Sequence, residues 1–177
     1  MRASKTKIQL ISLLLVFVIP ALMGWLLFHF HADFQLKTTN HGVLVHPAVH
    51  QEALALDPEK QKLWQIIYAP GTCDSGTEKE MYTLHQVRKA LGKNQDRVSL
   101  TLLASPDCQQ TEHDFRKLIF SKDQFAQLQQ SLNQKQVEDK IYLLDPIGNL
   151  FMYYSSASDP MNILKDLQNV LEVSEIG

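Results

Sequence analysis

Residues 63–92 read LWQIIYAPGTCDSGTEKEMYTLHQVRKALG, and the hydrophobic period changes partway through. From Lys62 to Ala69 the chain is rich in aromatic and β-branched residues, as in a short buried strand, and Pro70-Gly71 stops it. Beyond Cys73, Met81, Leu84, Val87 and Leu91 recur at helical spacing, with Gly92 as the stop. Ser75 and Glu78 form a Ser-x-x-Glu capping box, which predicts that Ser75 caps the helix. A cysteine therefore sits where a strand hands over to a helix.

Downstream the alternation continues. Val98 to Ala104 (VSLTLLA) predicts a second buried strand, broken by Ser105-Pro106-Asp107 just before Cys108. Phe115, Leu118 and Ile119 fall in a stretch expected to be irregular or briefly helical. Ser121 to Leu132 predicts a helix with Phe125, Leu128 and Leu132 on one face. Lys140 to Leu144 and Leu150 to Tyr154 are strands joined by Asp145-Pro-Ile-Gly-Asn149, a hairpin connection in which glycine supplies a positive φ. A last helix starts at Asp159, with Pro160 in its first turn and Ile163, Leu164, Leu167, Val170 and Leu171 as its apolar face.

The order β-α-β-α-β-β-α, with right-handed crossovers and a closing hairpin, predicts a thioredoxin-like α/β fold. In that fold a mixed four-stranded sheet is flanked by helices. A generic α/β sandwich with another strand order is the alternative.

Upstream lies a different kind of sequence. From Ile8 to Phe30 the chain has 23 residues and no formal charge, long enough for a transmembrane helix. Pro20 and Gly24 are tolerated in such helices, and the aromatic far end suits an interface. A cleaved signal peptide would have a shorter apolar core and a small-x-small cleavage site, which His29, His31, Asp33 and Phe34 do not provide. Arg2, Lys5 and Lys7 precede the span, so the positive-inside bias keeps the N-terminus cytoplasmic and exports the rest. In a bacterium that is a single-pass inner-membrane protein with a periplasmic C-terminal domain. The expected divisions are 1–7 cytoplasmic, 8–30 transmembrane and in the lipid bilayer, 31–58 a tether with a short strand at Val43 to Val45, and 59–177 the thioredoxin-like domain.

Composition sets further bounds. The 177 residues are 45% apolar and 20% charged, enough for one core and too apolar for wholesale disorder. All 19 acidic residues follow Ala32, leaving the exported part with 14 basic residues against them. Nucleic acid is not the expected partner, since that needs a dense basic face. Neither a Gly-rich phosphate loop, a Ser-His-Asp arrangement nor a metalloprotease helix motif occurs.

The chemistry centres on Cys73 and Cys108, the candidate thiols. Each follows a predicted parallel strand, so both arrive at the sheet edge where open α/β sheets bind ligands. Three readings stand side by side: a structural disulfide, two idle thiols, or a functional pair working by redox exchange or metal binding. Neither Cys-x-x-Cys nor Cys-x-x-x-Cys is present, and Asp74 puts a negative charge beside Cys73 that opposes a thiolate. His113, five residues after Cys108, would complete a soft Cys/Cys/His copper site, against the blander reading of a surface histidine. The other six histidines offer no such cluster.

The anchor, the cysteine after the first sheet strand and the stretch Ile141-Tyr-Leu-Leu-Asp-Pro-Ile-Gly-Asn-Leu150 resemble the Sco/SenC family. The resemblance spans roughly residues 40 to 173. It extends to small proteobacterial inner-membrane relatives in which Asn40-His-Gly-Val-Leu44, Leu63-Trp-Gln-Ile66 and Lys165-Asp-Leu167 have counterparts. It implies a membrane-anchored thioredoxin fold, copper as cofactor, and cytochrome c oxidase subunits or assembly factors as partners. Against the family's Cys-x-x-x-Cys and distant histidine, Cys73 matches the first ligand, Thr77 stands at the second and Val137 near the third. The active-site proline before the third strand is missing as well. The implied role is an accessory protein of oxidase assembly that binds a partner and is not an enzyme. A thiol–disulfide oxidoreductase or copper chaperone using Cys73 and Cys108 is the alternative, and a one-cysteine peroxidase fits poorly because its signature is not met.

Overall fold

The computed structural model describes residues 2–30, 40–50, 54, 63–110 and 114–174. The chain divides into two compact units, Met1–Thr39 and Asn40–Gly177.

The first unit is helical along α1 (Arg2–Phe30), with Pro20 inside it. Ile11, Phe17 and Trp25 are all exposed, and the Trp25 and His29 rings stack at 5.3 Å. Among the described residues no helix is long and apolar enough to cross a membrane.

The second unit is an α/β domain. Its elements are β1 (Val43–His50), β2 (Trp64–Ala69), α2 (Ser75–Ala90), β3 (Val98–Ala104), β4 (Phe115–Ile119), α3 (Lys122–Leu132), β5 (Lys140–Leu144), β6 (Asn149–Ser155) and α4 (Pro160–Val173). A 3₁₀ segment, Gly92–Arg97, links α2 to β3. The sheet order is β1-β6-β5-β2-β3-β4. β2, β3 and β4 are parallel neighbours, while β5, β6 and β1 pair antiparallel.

The thioredoxin-like core of β2, β3, β5 and β6 agrees with the sequence, but among the described residues the sheet has six strands and not four. The stretch expected to be irregular or helical is β4, which among the described residues is an edge strand paired with β3. At the opposite edge β1 continues through Pro47 to His50, well beyond the three apolar residues that signal it. An edge strand needs one ladder only, so a residue without an N–H is tolerated there. The β1–β6 register is irregular between Leu44 and Val49, the interval that contains Pro47.

Alternation along the strands divides the core in two. Ile66, Tyr68, Leu100, Leu102, Ile141 and Leu143 face α2 and α4, whose Met81, Leu84, Ile163 and Leu167 complete that layer. Ile67, Ala69, Leu103, Tyr142 and Leu144 face the other way, against Phe125, Leu128 and Leu132 of α3. Every residue of β2 is buried, as expected of a central strand covered on both faces.

Candidate functional site

The site forms where β2 and β3 end. β2 stops at Pro70-Gly71, and the backbone N–H of Gly71 donates to Asp139 Oδ1 at 2.8 Å. A Cβ on Gly71 would lie 2.5 Å from that carboxylate, so a larger residue here would have to displace the Asp139 side chain. Asp139 stands directly before β5, with φ at 57°, and its carbonyl accepts from Ser156 N–H at 2.9 Å. Sequence reading passed over this residue, since its partners are 68 residues upstream and just beyond the end of β6.

Cys73 follows, and then α2. The helix is capped by Asp74, not by Ser75: the Asp74 side chain accepts from Gly76 N–H at 2.8 Å and from the Thr72 hydroxyl at 2.9 Å. Both residue types can cap; the chain turns at Asp74, leaving Ser75 inside the first turn. The Thr72 bond, then the Gly76 one, holds the Asp74 carboxyl below its ordinary range. Its charge is thus present beside Cys73, as anticipated.

Cys108 closes the turn after β3, its N–H donating to Ser105 carbonyl at 3.1 Å. The sulfurs of Cys73 and Cys108 are joined at 2.03 Å, with Cα atoms 5.3 Å apart. The two candidate thiols therefore meet at one sheet edge, as parallel strands require. His113, the third candidate ligand, lies outside the described residues.

The other two positions carry no copper donor. Thr77 is buried, and its hydroxyl donates to Thr72 carbonyl at 2.6 Å, closing the turn from inside. Val137 is fully buried in the layer beneath α3, and its carbonyl accepts from the Tyr142 hydroxyl at 2.8 Å. Both side chains belong to the packing. Among the described residues no group of three His, Cys, Asp or Glu side chains could hold a metal. The donor set does not fit copper as Sco proteins hold it.

Two clefts flank the Cys73 loop. One, of about 260 Å³, runs between the loop and α3 and is lined by Pro70, Gly71, Cys73, Ser105, Lys122, Phe125, Ala126, Gln129 and Glu138. The other, of about 270 Å³, is lined by Tyr68, Thr72, Asp74, Thr77, Glu80 and Asp139 among others, and is acidic. Burial, with the Glu80 charge next, pushes the Tyr68 hydroxyl up to about 12, so this wall stays a neutral phenol near pH 7.

Solved structures share the fold. Apo Sco1 from Thermus thermophilus superposes with a TM-score of 0.54 at 15% identity, covering 76% of this chain and 99% of that one. ScoI from Arabidopsis thaliana with copper bound gives 0.51 at 13%, covering 66% and 88%. Yeast Sco1 gives 0.50 at 11%, covering 63% and 85%. At such identities the likeness is one of fold. No curated protein matches the sequence. The profile of one family does, over residues 64–174, and by that match the chain belongs to the transmembrane-like, thioredoxin-like, C-terminal domain family.

Proposed function

We propose that this chain is an inner-membrane-anchored, periplasm-facing accessory protein in the assembly of respiratory cytochrome c oxidase. It acts by binding an oxidase subunit or assembly factor, and does not carry copper as the Sco proteins do. One observation supports this above the rest: the Sco-like fold is kept while Thr77 and Val137, at the second and third ligand positions, are built into the core. The scaffold serves a surface role once its metal donors are gone.

The test is deletion of the gene followed by oxidase activity and CuA content. Loss of either supports the role, and an unchanged, fully metallated oxidase sinks it. The anchor rests on the apolar run from Ile8 to Phe30 and on Arg2, Lys5 and Lys7 before it. Alkaline carbonate should fail to extract the chain. Protease added to spheroplasts should degrade everything after about Ala32, and protection of the domain would reverse the orientation.

A second reading, a membrane-tethered thiol–disulfide oxidoreductase, is favoured by the placement of Cys73: half-buried, bonded to Cys108 and open to the cleft beside α3.

A further inference from the structure

The two edges of the sheet are finished differently. On β1, Pro47 removes an N–H and the register with β6 shifts between Leu44 and Val49, which blunts that edge against a further strand. β4 pairs with β3 without a break in register and contains neither proline nor glycine. Among the described residues no strand lies beyond it.

The ladder fixes which backbone groups of β4 face outward. One residue past the strand, the Phe120 N–H donates to the Ala104 carbonyl at 2.9 Å. Backbone groups alternate sides along a strand, so Arg116, Leu118 and Phe120 turn theirs toward β3. Phe115, Lys117 and Ile119 therefore turn their N–H and C=O groups away from the sheet. Ile119 also leaves an apolar side chain at this rim, 56% exposed.

Charge selects the strand that fits there. From Phe115 to Lys122 the chain has Arg116, Lys117 and Lys122 and no acid, although after Ala32 it carries 19 acidic residues against 14 basic. Asp114, just before the strand, has His85 Nδ1 at 2.8 Å and Arg88 at 3.9 Å. A second copy of the chain fits badly. The antiparallel register that uses all of β4 sets Lys117 opposite the same lysine of the other copy, and like charges directly opposed are destabilising.

We propose that the outer edge of β4 is a docking strand, which takes an extended acidic segment of a partner polypeptide as an added strand of the sheet. This deepens the partner-binding reading and rests on it. The main chain of the segment bonds to the outward groups of Phe115, Lys117 and Ile119, and its carboxylates lie beside Arg116 and Lys117. Main-chain bonds supply affinity, and the acid distinguishes the partner from a second copy.

Proline at an outward position removes one edge N–H and leaves the β3 ladder whole, so Ile119→Pro separates docking from folding. The full-length chain with Ile119→Pro is returned to cells lacking the gene. It should keep the denaturation midpoint of the natural chain and bring oxidase activity down to the level of the deletion. In neutral detergent, the natural chain should bind a synthetic peptide of alternating glutamate and valine about tenfold tighter than its lysine–valine counterpart. N-methylation of every peptide nitrogen should abolish that binding. The Lys117 ammonium also donates to the Cys108 carbonyl at 2.5 Å. Lys117→Glu should nevertheless reverse the preference between the two peptides, which loss of that bond alone would not do; this variant decides if Ile119→Pro lowers the midpoint. Equal binding of the two peptides, or binding that survives N-methylation, overturns the proposal. Natural activity in Ile119→Pro, where the deletion loses it, overturns the proposal and leaves the partner-binding role standing; a deletion without effect removes both.

Discussion

Asp166 on α4 holds Gly42 in place ahead of β1: the Gly42 N–H donates to Asp166 Oδ2 at 2.9 Å, across 124 residues of chain. The same carboxylate accepts from His41 N–H at 2.8 Å, the Tyr154 hydroxyl at 2.7 Å and His41 Nδ1 at 3.0 Å. Two of the sequence motifs that resemble Sco relatives, Asn40-His-Gly-Val-Leu44 and Lys165-Asp-Leu167, are thus one hydrogen-bonded latch. It ties the first strand of the sheet to the last helix.

Removing the carboxylate leaves the four groups that bond to it without a partner there, in a nearly closed site, Asp166 being 3% exposed. Asp166→Ala should destabilise the domain by about 3–5 kcal/mol, as when one partner of a buried charged group is removed. Tyr154→Phe should cost about 1.5–3 kcal/mol, one hydrogen bond to a charged group. Denaturant unfolding of the two variants gives both numbers, and a loss below 1 kcal/mol for Asp166→Ala contradicts the latch.

The latch also sets a pH dependence. Burial pushes the Asp166 carboxyl up, but the bonds from His41 and Tyr154 and from the two backbone amides outweigh it and hold the group below its ordinary range. A carboxyl lowered in the folded state contributes its full stability above the unfolded value, about 3.9, and loses it as pH falls through the folded value. Acid unfolding should therefore begin below about pH 4, and Asp166→Asn should flatten that limb. An acid limb identical in both proteins would remove Asp166 as its cause.

At the alkaline end the sign is opposite. Burial raises Tyr68 to about 12, with the Glu80 charge adding to it, and raises Tyr142 and Tyr154 further still. Raised groups favour the folded state below the unfolded tyrosine value near 10 and lose that contribution as pH climbs through the folded values. Tyrosinate absorbance should appear in two stages, with these three residues ionising only as the fold is lost.

Gly42 is as constrained as its partner. A Cβ there would meet Met152 and Tyr154 side-chain atoms at 2.6 Å, and both residues are buried. Gly42→Ala should cost about 1–3 kcal/mol by overpacking, read as a lower denaturation midpoint. A neutral result would mean that Met152 yields the space.

Copper provides the sharpest contrast with the Sco fold. With both sulfurs in the disulfide, the oxidised chain should take no Cu(I) from a strong chelator; after reduction it should bind weakly at most, since tight Cu(I) sites need two or three soft or imidazole ligands at one point. Thr77→Cys in a Cys108→Ser background restores Cys-x-x-x-Cys at the start of α2 and should tighten binding at least tenfold. Stoichiometric tight binding by the reduced natural chain, lost in Cys73→Ser and Cys108→Ser alike, would overturn this.

The sequence by itself determined the central strands, the three domain helices and the arrival of both cysteines at one edge. Those features are written in local periods: β2 and β3 are contiguous apolar runs, and α2, α3 and α4 repeat every three to four residues. Parallel strands linked by a helix must also end at the same edge. Tertiary structure decided what no local period encodes. Phe115–Ile119 suits a strand or a short helix equally, and it is β3, already in place, that makes it β4. Residues around Pro47 become a strand because β6 offers an edge that needs one ladder only. Asp166 looks like any solvated acid on a helix until His41, Gly42 and Tyr154 close over it, and Val137 looks like any loop valine until α3 covers it. A buried charge or an edge pairing is fixed by partners far away in the chain, and only the folded sheet brings those partners within hydrogen-bonding reach.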